Sequence, residues 1–165
     1  MVYAAGYSSP IGDMTIAADG DNLVGLWFVG QKHCGILPSE CEERKVPVIE
    51  ETVRWLNIYF SGGVPAFTPP IRMTGSKFRI SVWEHLLRIP YGHTVTYGEI
   101  AKRIAEENGV ERVSAQAVGG AVAHNRISLI IPCHRVIGRN GDLTGYAGGI
   151  DKKAKLLRLE QANYK

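Results

Sequence analysis

The segment over residues 131–136, Ile-Pro-Cys-His-Arg-Val, holds the side chains best suited to covalent chemistry. Pro132 has no backbone N–H, so we expect it to end a preceding strand and to leave Cys133 at a strand end, where side chains can face a cleft. A free thiol with a pKa of about 8.5 is only a few per cent thiolate at neutral pH, so it needs a nearby base or positive dipole. The neighbouring His134 is the candidate base.

A carboxylate behind His134 would fix the tautomer of the ring and stabilise its protonated form. Glu160, near the end of the last predicted helix, is the candidate for that carboxylate. The alternative is a buried structural cysteine beside a hydrogen-bonded histidine, and the adjacent pair does not by itself decide between the two.

The other cysteines, Cys34 and Cys41, do not form a disulfide framework with Cys133, because three cysteines in 165 residues are few and odd in number. His33 adds a third possible zinc ligand to Cys34 and Cys41, but no clear fourth ligand accompanies them. We therefore predict no metal site and a reducing, cytoplasmic location.

The composition is that of an ordinary globular protein, with 45% hydrophobic and 21% charged residues. The longest apolar runs, such as residues 129–131, are far shorter than the roughly 20 residues that span a bilayer, so a membrane span is excluded. The first residues lack a basic start followed by an apolar core, so we predict no secretory signal.

Charge is spread unevenly along the chain. Residues 1–74 carry five Lys/Arg and eight Asp/Glu, a net charge of −3, whereas residues 75–165 carry fourteen and eight, a net charge of +6. A basic half joined to an acidic half indicates that the second half meets a polyanion such as nucleic acid. Chance imbalance on a solvated surface is the alternative.

The first third of the chain predicts a small antiparallel sheet, with strands over residues 2–7, 14–18 and 23–29. A helix over residues 47–60 follows, because apolar residues recur there at helical spacing and Pro47 suits a first turn. Glycines and prolines over residues 62–74 cannot continue a helix or a central strand, so we predict domains over residues 1–74 and 75–165.

The second half predicts helices over residues 76–88, 114–123 and 151–162, and one from the capping box Thr96–Glu99 to Asn108. A helix followed by a short connection and a helix of small residues is the outline of a helix-turn-helix. Between the last two helices we expect a short strand over residues 129–131 and a hairpin over residues 136–146, turning at Asn140-Gly141.

Several groups of residues closely resemble the O6-alkylguanine-DNA alkyltransferases, the methylated-DNA–protein-cysteine methyltransferases. They are residues 131–136, Thr-Gly-Tyr-Ala-Gly-Gly over 144–149, Lys-Leu-Leu-x-Leu-Glu over 155–160, a patterned stretch over 78–101, and Ala-Val-Gly-Gly-Ala over 117–121 with Asn125. The likeness is dense over residues 75–161 and weak over residues 1–74. It implies an α+β fold in which a small ribonuclease H-like domain precedes a helical domain of winged helix-turn-helix type.

The resemblance implies a direct and irreversible repair reaction that needs no cofactor. Cys133 would take the alkyl group from O6 of a damaged guanine, and also from O4-alkylthymine, and keep it as a thioether. Glu160 would orient His134, which would activate Cys133 through a water. Asn125 would fix the turn into the active-site segment, and Tyr97 would help the guanine leave as a neutral base.

Double-stranded DNA containing O6-alkylguanine is the implied partner, bound by a monomer. A base inside a duplex must be flipped out to expose O6, at a cost of a few kcal/mol. Phosphate contacts could supply that energy without reading sequence, and basic candidates for them include Arg79, Arg112 and Arg139. The expected DNA-contacting residues are Tyr97, Ser114, Gln116, Ala117, Gly119, Arg126 and Arg135, and the expected base-pocket residues are Val122, Val136, Tyr146 and Ala147. For Arg135, an internal ion pair is the alternative.

Two residues depart from the family pattern. Gln116 stands where family members often carry an arginine that fills the gap left by the extruded base, and Arg126 stands where proline is common. We expect weaker flipping or a different wedge from Gln116, and an added DNA contact from Arg126.

Two other function classes remain to be separated from an alkyltransferase. A non-catalytic binder of alkylated guanine would lack the cysteine, so Cys133 speaks against it. A thiol hydrolase using cysteine, histidine and glutamate would need a peptide-binding cleft and an oxyanion loop, which the sequence does not suggest.

Overall fold

The computed structural model describes residues 1–161, which divide into two compact units. The N-terminal unit comprises Met1–Thr74 together with Arg126–Ser128, and the C-terminal unit comprises Gly75–Asn125 and the chain from Leu129 onward. Ala162, the predicted last residue of the final helix, lies outside the described residues.

The N-terminal unit is an antiparallel sheet covered by one helix. Strands β1 (Val2–Ser9), β2 (Gly12–Asp19) and β3 (Asn22–Phe28) form a meander, and the short β4 (Glu42–Glu43) adds to β1 in parallel, giving the order β3-β2-β1-β4. Helix α1 (Pro47–Phe60) has the predicted bounds. Its buried side chains, including Ile49, Leu56 and Tyr59, face the core because they recur at helical spacing.

Residues 126–128 pair with β3 of the N-terminal unit. The backbone N–H of Leu26 donates to the carbonyl of Arg126 (2.8 Å), and that of Ser128 donates to the carbonyl of Leu26 (2.7 Å). The strand predicted over residues 129–131 is wrong: this stretch is a turn, with Leu129 at a φ of 69°. The apolar run is explained by burial, since Leu129, Ile130 and Ile131 are all in the core.

Helices dominate the C-terminal unit, as predicted, and in three of those described a side chain caps the N-terminal end. The helices are α2 (Lys77–Leu87), α3 (Tyr97–Asn108), α4 (Ala115–Ala123) and α5 (Ile150–Leu159). Thr96 and Glu99 form the predicted capping box, and Gly109 ends α3 in the left-handed conformation at a φ of 65°. The indole N–H of Trp83 on α2 donates to the carbonyl of Ala121 on α4 (2.9 Å), which joins the two helices.

The hairpin predicted over residues 136–146 is also wrong. Strand β6 (Val136–Ile137) pairs in parallel with β5 (Val95–Thr96), and the chain then turns through Arg139–Gly141 with Asn140 at a φ of 63°. The Asn-Gly turn therefore forms, but within the described residues no second strand returns along β6. The carbonyls of Leu143 and Gly145 instead accept hydrogen bonds from Lys153.

The predicted fold class is confirmed: an antiparallel-sheet domain with one helix precedes a helical domain. Across residues 1–161, no helix combines the length and the apolar character that crossing a membrane requires.

Candidate active site

Cys133 lies in a single 3₁₀ turn, Cys133–Arg135, immediately before β6. Its side chain is buried, with 5% of the residue exposed. The side chain of Asn125 forms a hydrogen bond with the sulfur, and the hydroxyl of Tyr146 also favours the thiolate. Asn125 also donates to the carbonyl of Ile131 (2.8 Å), so the amide that contacts the sulfur is fixed to the segment leading to it.

Burial raises the pKa of the Cys133 thiol, and this outweighs the opposing effects of Asn125, Lys153 and Tyr146. The sulfur therefore rests as a neutral thiol near pH 7. Reaction with an electrophile requires a base that takes its proton as the new bond forms.

His134 supplies a base of the right kind. Its ring is fully buried, and Nε2 lies 2.5 Å from Oε2 of Glu160. A carboxylate only accepts hydrogen bonds, so Nε2 of the neutral ring carries the proton and Nδ1 keeps the lone pair. Burial lowers the pKa of His134 despite the opposing charge of Glu160, so the ring is neutral and basic at pH 7.

Glu160 is held as an anion by several donors. Its Oε1 accepts from Nε of Arg135 (2.7 Å) and from the backbone N–H of Gly92 (3.2 Å). Burial by itself would raise the pKa of Glu160, but the hydrogen bonds from His134 and Arg135, together with the positive charge of Arg135, lower it to about 2. A charged Glu160 can then stabilise the imidazolium that forms when His134 takes a proton.

Arg135, predicted to contact DNA, instead has an internal role. Besides its bond to Glu160, its Nη1 donates to the carbonyl of Ile89 (2.8 Å), and the guanidinium lies 5.6 Å from the ring centre of Tyr91. Only 8% of the residue is exposed. We correct the prediction of a DNA contact, because a guanidinium that is hydrogen-bonded to buried acceptors does not face a phosphate.

Lys153 is the part of the site that the sequence reasoning missed. The residue has no exposed surface, and Nζ donates to the carbonyls of Val136 (2.6 Å), Leu143 (2.6 Å) and Gly145 (3.0 Å). Burial lowers its pKa to about 8, while interaction with Cys133 opposes this. The sequence does contain a signal for this residue. Lys153 lies on the same face of α5 as the apolar Leu156 and Leu157, where a lysine without a partner of opposite charge is unexpected.

Tyr97, the first residue of α3, is half-buried near this lysine. Its ring centre lies 6.0 Å from Nζ of Lys153, and its hydroxyl lies 3.2 Å from Oγ1 of Thr144. Burial raises its pKa, so the phenol is protonated at neutral pH. A side chain at Gly119 would come within 3.8 Å of the Tyr97 ring, which places that glycine of α4 against the tyrosine.

The remaining predicted site residues fall into two sets. Ser114, Gln116 and Ala117 are exposed in the first turn of α4, where Ser114 accepts from the N–H of Ala117 (2.9 Å). Arg126 is exposed and belongs to the N-terminal unit. Within the C-terminal unit, Val122 and Val136 are buried and Ala147 is half-buried.

The pKa of the Cys133 thiol thus responds to Asn125, Tyr146 and Lys153. His134, in the same turn as Cys133, is bound to Glu160 at the end of α5. Among residues 1–161 no group of three or more His, Cys, Asp and Glu side chains could hold a metal ion.

Two family models match almost the whole chain. Residues 77–162 match the DNA binding domain of 6-O-methylguanine DNA methyltransferase, and residues 2–73 match its ribonuclease-like domain.

Curated relatives are similar over nearly full length. A methylated-DNA–protein-cysteine methyltransferase of Methanosarcina acetivorans is 42% identical over 160 residues, covering 96% of this chain and 98% of the relative. The protein of that name from Mycobacterium tuberculosis is 41% identical over 163 residues, covering 98% and 94%. A crystal structure of Mycobacterium tuberculosis OGT in complex with DNA matches with a TM-score of 0.83 at 40% identity, covering 96% of this chain and 92% of that one.

Proposed function

This chain belongs to the 6-O-methylguanine DNA methyltransferase family, and on that premise we propose that it repairs DNA by moving the alkyl group of O6-alkylguanine onto Cys133. It is a methylated-DNA–protein-cysteine methyltransferase. The assignment of the acceptor to Cys133 rests on one observation above all. The buried thiol stands in the same 3₁₀ turn as a histidine whose Nε2 is bound to Glu160 at 2.5 Å.

The reaction transfers the alkyl group from O6 to the sulfur and involves two proton transfers. Nδ1 of His134 takes the thiol proton through a water, and Sγ of Cys133 forms a bond to the alkyl carbon as its bond to O6 breaks. The electron pair of that broken bond stays on the base, which takes a proton from Tyr97 and leaves as neutral guanine. The thioether is stable, so each molecule reacts once and no cofactor takes part.

The exposed first turn of α4 supports a DNA-bound step. Ser114, Ala115 and Ala117 are exposed and carry little bulk, which allows close approach to a duplex. A guanine must leave the stack before its O6 can reach a buried sulfur, at a cost of a few kcal/mol. Contacts from exposed arginines such as Arg112 and Arg139 to phosphates supply binding energy that does not depend on sequence.

We extend the proposal to O4-alkylthymine as a second substrate, to a monomer as the working form, and to the cytoplasm as the location. Cys34, Cys41 and Cys133 are all unpaired, which fits a reducing compartment.

Intact-mass measurement after incubation with a duplex containing O6-methylguanine tests the acceptor. We expect one added methyl group per molecule, located on Cys133 by peptide mapping, and none in Cys133→Ala. Cys41→Ala is the matched control, since it removes another unpaired cysteine and should still gain the methyl group. Unmodified wild-type protein that nevertheless binds the lesion would instead identify a non-catalytic damage binder.

A further inference from the structure

Thr144 lies in the loop between β6 and α5 in a conformation that threonine rarely adopts. Its φ is 60°, in the left-handed region that β-branched residues avoid. Its methyl carbon lies 2.5 Å from where a side-chain carbon at Gly138 would be, so the absent side chain at 138 leaves room for it. With the methyl seated there, the other branch, Oγ1, is directed to Tyr97 (3.2 Å).

Lys153 holds this loop on both sides of Thr144. Its Nζ donates to the carbonyl before Thr144, that of Leu143 (2.6 Å), and to the carbonyl after it, that of Gly145 (3.0 Å). Because Lys153 is fully buried on α5, the position of Thr144 relative to Tyr97 is fixed by the helix rather than by the exposed loop.

The hydroxyl of Thr144 has two acceptors but one hydrogen. Oγ1 lies 2.7 Å from the carbonyl of Leu143 and 3.2 Å from the hydroxyl oxygen of Tyr97. When Thr144 donates to Leu143, Tyr97 donates its own hydrogen to Thr144. When Thr144 rotates its hydrogen toward Tyr97, the hydrogen of Tyr97 becomes available to another acceptor.

We propose that Thr144 is a positioning residue for Tyr97, whose hydroxyl accepts from Tyr97 in the resting protein and donates to it while the damaged base leaves. The inference rests on the proposed function, in which Tyr97 protonates the departing base. Thr144 touches neither base nor sulfur in this role; it aims the phenol and stabilises the oxygen as its proton moves away.

The steps balance without a further reactant. The thiol proton passes to His134, the alkyl carbon changes its bond from O6 to Sγ, and the electron pair stays on the base. The base takes the phenolic proton while Thr144 donates to the phenolate oxygen, and the phenolate then regains a proton from solvent. His134 returns one proton to solvent, so the net change is transfer of the alkyl group alone.

Single-turnover rates with duplex O6-methylguanine test this role in the full-length protein. Thr144→Val keeps the branched shape and loses the hydroxyl, and we expect a rate about five-fold lower. Thr144→Ser restores the hydroxyl and should recover most of that loss. Thr144→Gly removes left-handed strain as well as the hydroxyl, so it tests the same role in a backbone that folds more readily, and it should be as slow as valine.

A double-mutant cycle separates this role from loop stability. In the Tyr97→Phe background, Thr144→Val should cause no further slowing, because the phenol it serves is absent. The ionisation of Tyr97, followed by ultraviolet difference against Tyr97→Phe, should shift to higher pH in Thr144→Val, since the bond from Thr144 lowers the pKa of this phenol.

Equal slowing by valine in both backgrounds, or no recovery with serine, would overturn the inference. So would wild-type rates in all three Thr144 variants while wild-type protein is methylated on Cys133. Wild-type protein that gains no methyl group would instead overturn the proposed function, and the mass measurement distinguishes that failure from the others.

Discussion

At the scale of single residues, the site combines a cysteine whose thiol stays protonated with a histidine base that stays neutral. Burial raises the pKa of Cys133 and lowers that of His134, so both rest uncharged inside the protein. Of the side chains Cys133, His134 and Glu160, only Glu160 stays charged, because Arg135 and the backbone N–H of Gly92 also bind it. A buried and neutral thiol reacts when an electrophile is held against it. This low reactivity otherwise preserves an acceptor that can be used only once.

The neutral state of His134 predicts the pH dependence of methyl transfer. Its pKa lies below 6.5, so the single-turnover rate should level off below neutral pH and fall as acid protonates the ring. The profile should be measured between pH 5 and 7.5, because Lys153, with a pKa of about 8, stays mostly protonated there. A free thiolate reacting without a base would instead give a rate that rises about ten-fold per pH unit through this range.

The matched control for this profile is a second histidine–glutamate pair in the same unit, of which the histidine is buried and the glutamate exposed. Nε2 of His85 lies 3.0 Å from Oε2 of Glu107, and His85 is 5% exposed. His134→Gln should abolish the plateau and slow transfer by about 100-fold, the typical contribution of a general base. His85→Gln should keep the plateau, and a plateau that survives His134→Gln would assign the base elsewhere.

At the scale of elements, the sequence predicted the features that depend on residues close together in the chain. The Thr96–Glu99 capping box placed the start of α3, because side chains there satisfy backbone N–H groups within a few residues. The failures, a strand over residues 129–131 and a hairpin over residues 136–146, depend on partners far along the chain. Lys153, which takes the loop carbonyls, is one such partner, and no local pattern shows that choice.

In the candidate site too, features that depend on neighbouring residues could be predicted, and features that depend on distant residues could not. The Cys133–His134–Glu160 set was predictable from an adjacent pair and a family pattern, and the exposure of Gln116 follows from its place in the first turn of α4. For Arg135 the sequence left a DNA contact and an internal ion pair both open, because the choice depends on the carbonyl of Ile89 and the carboxylate of Glu160 lying together in space.

Helix α4 carries a prediction about flipping. Gln116 is exposed in its first turn and offers a short, neutral side chain. Gln116→Arg adds a planar, charged group that can stack in the gap left by an extruded base, so duplex repair should become several-fold faster. Reaction with free O6-methylguanine base should not change, because no flipping is needed. Gln116→Lys is the control: an equal gain with lysine would show that charge, rather than stacking, is responsible.

At the scale of the whole molecule, the two halves differ in charge rather than merely in fold. Residues 1–74 have a net charge of −3 and residues 75–165 a net charge of +6. The basic half contains the exposed α4 turn together with the buried thiol. A polyanion is therefore attracted to the half that carries the chemistry and repelled by the other, which favours binding by one face before any damage is recognised.

That asymmetry predicts how affinity for undamaged duplex responds to salt. Each phosphate neutralised releases counterions, so the logarithm of the binding constant should fall with the logarithm of salt concentration by about 0.9 per contact. Arg112→Gln, an exposed site in the basic half, should make this slope shallower by about one contact and weaken binding to all sequences alike. Arg54→Gln, an exposed arginine in the acidic half, is the matched control and should leave the slope unchanged. Binding that ignores salt, or an equal effect of both substitutions, would show that the basic half is not the DNA-binding face.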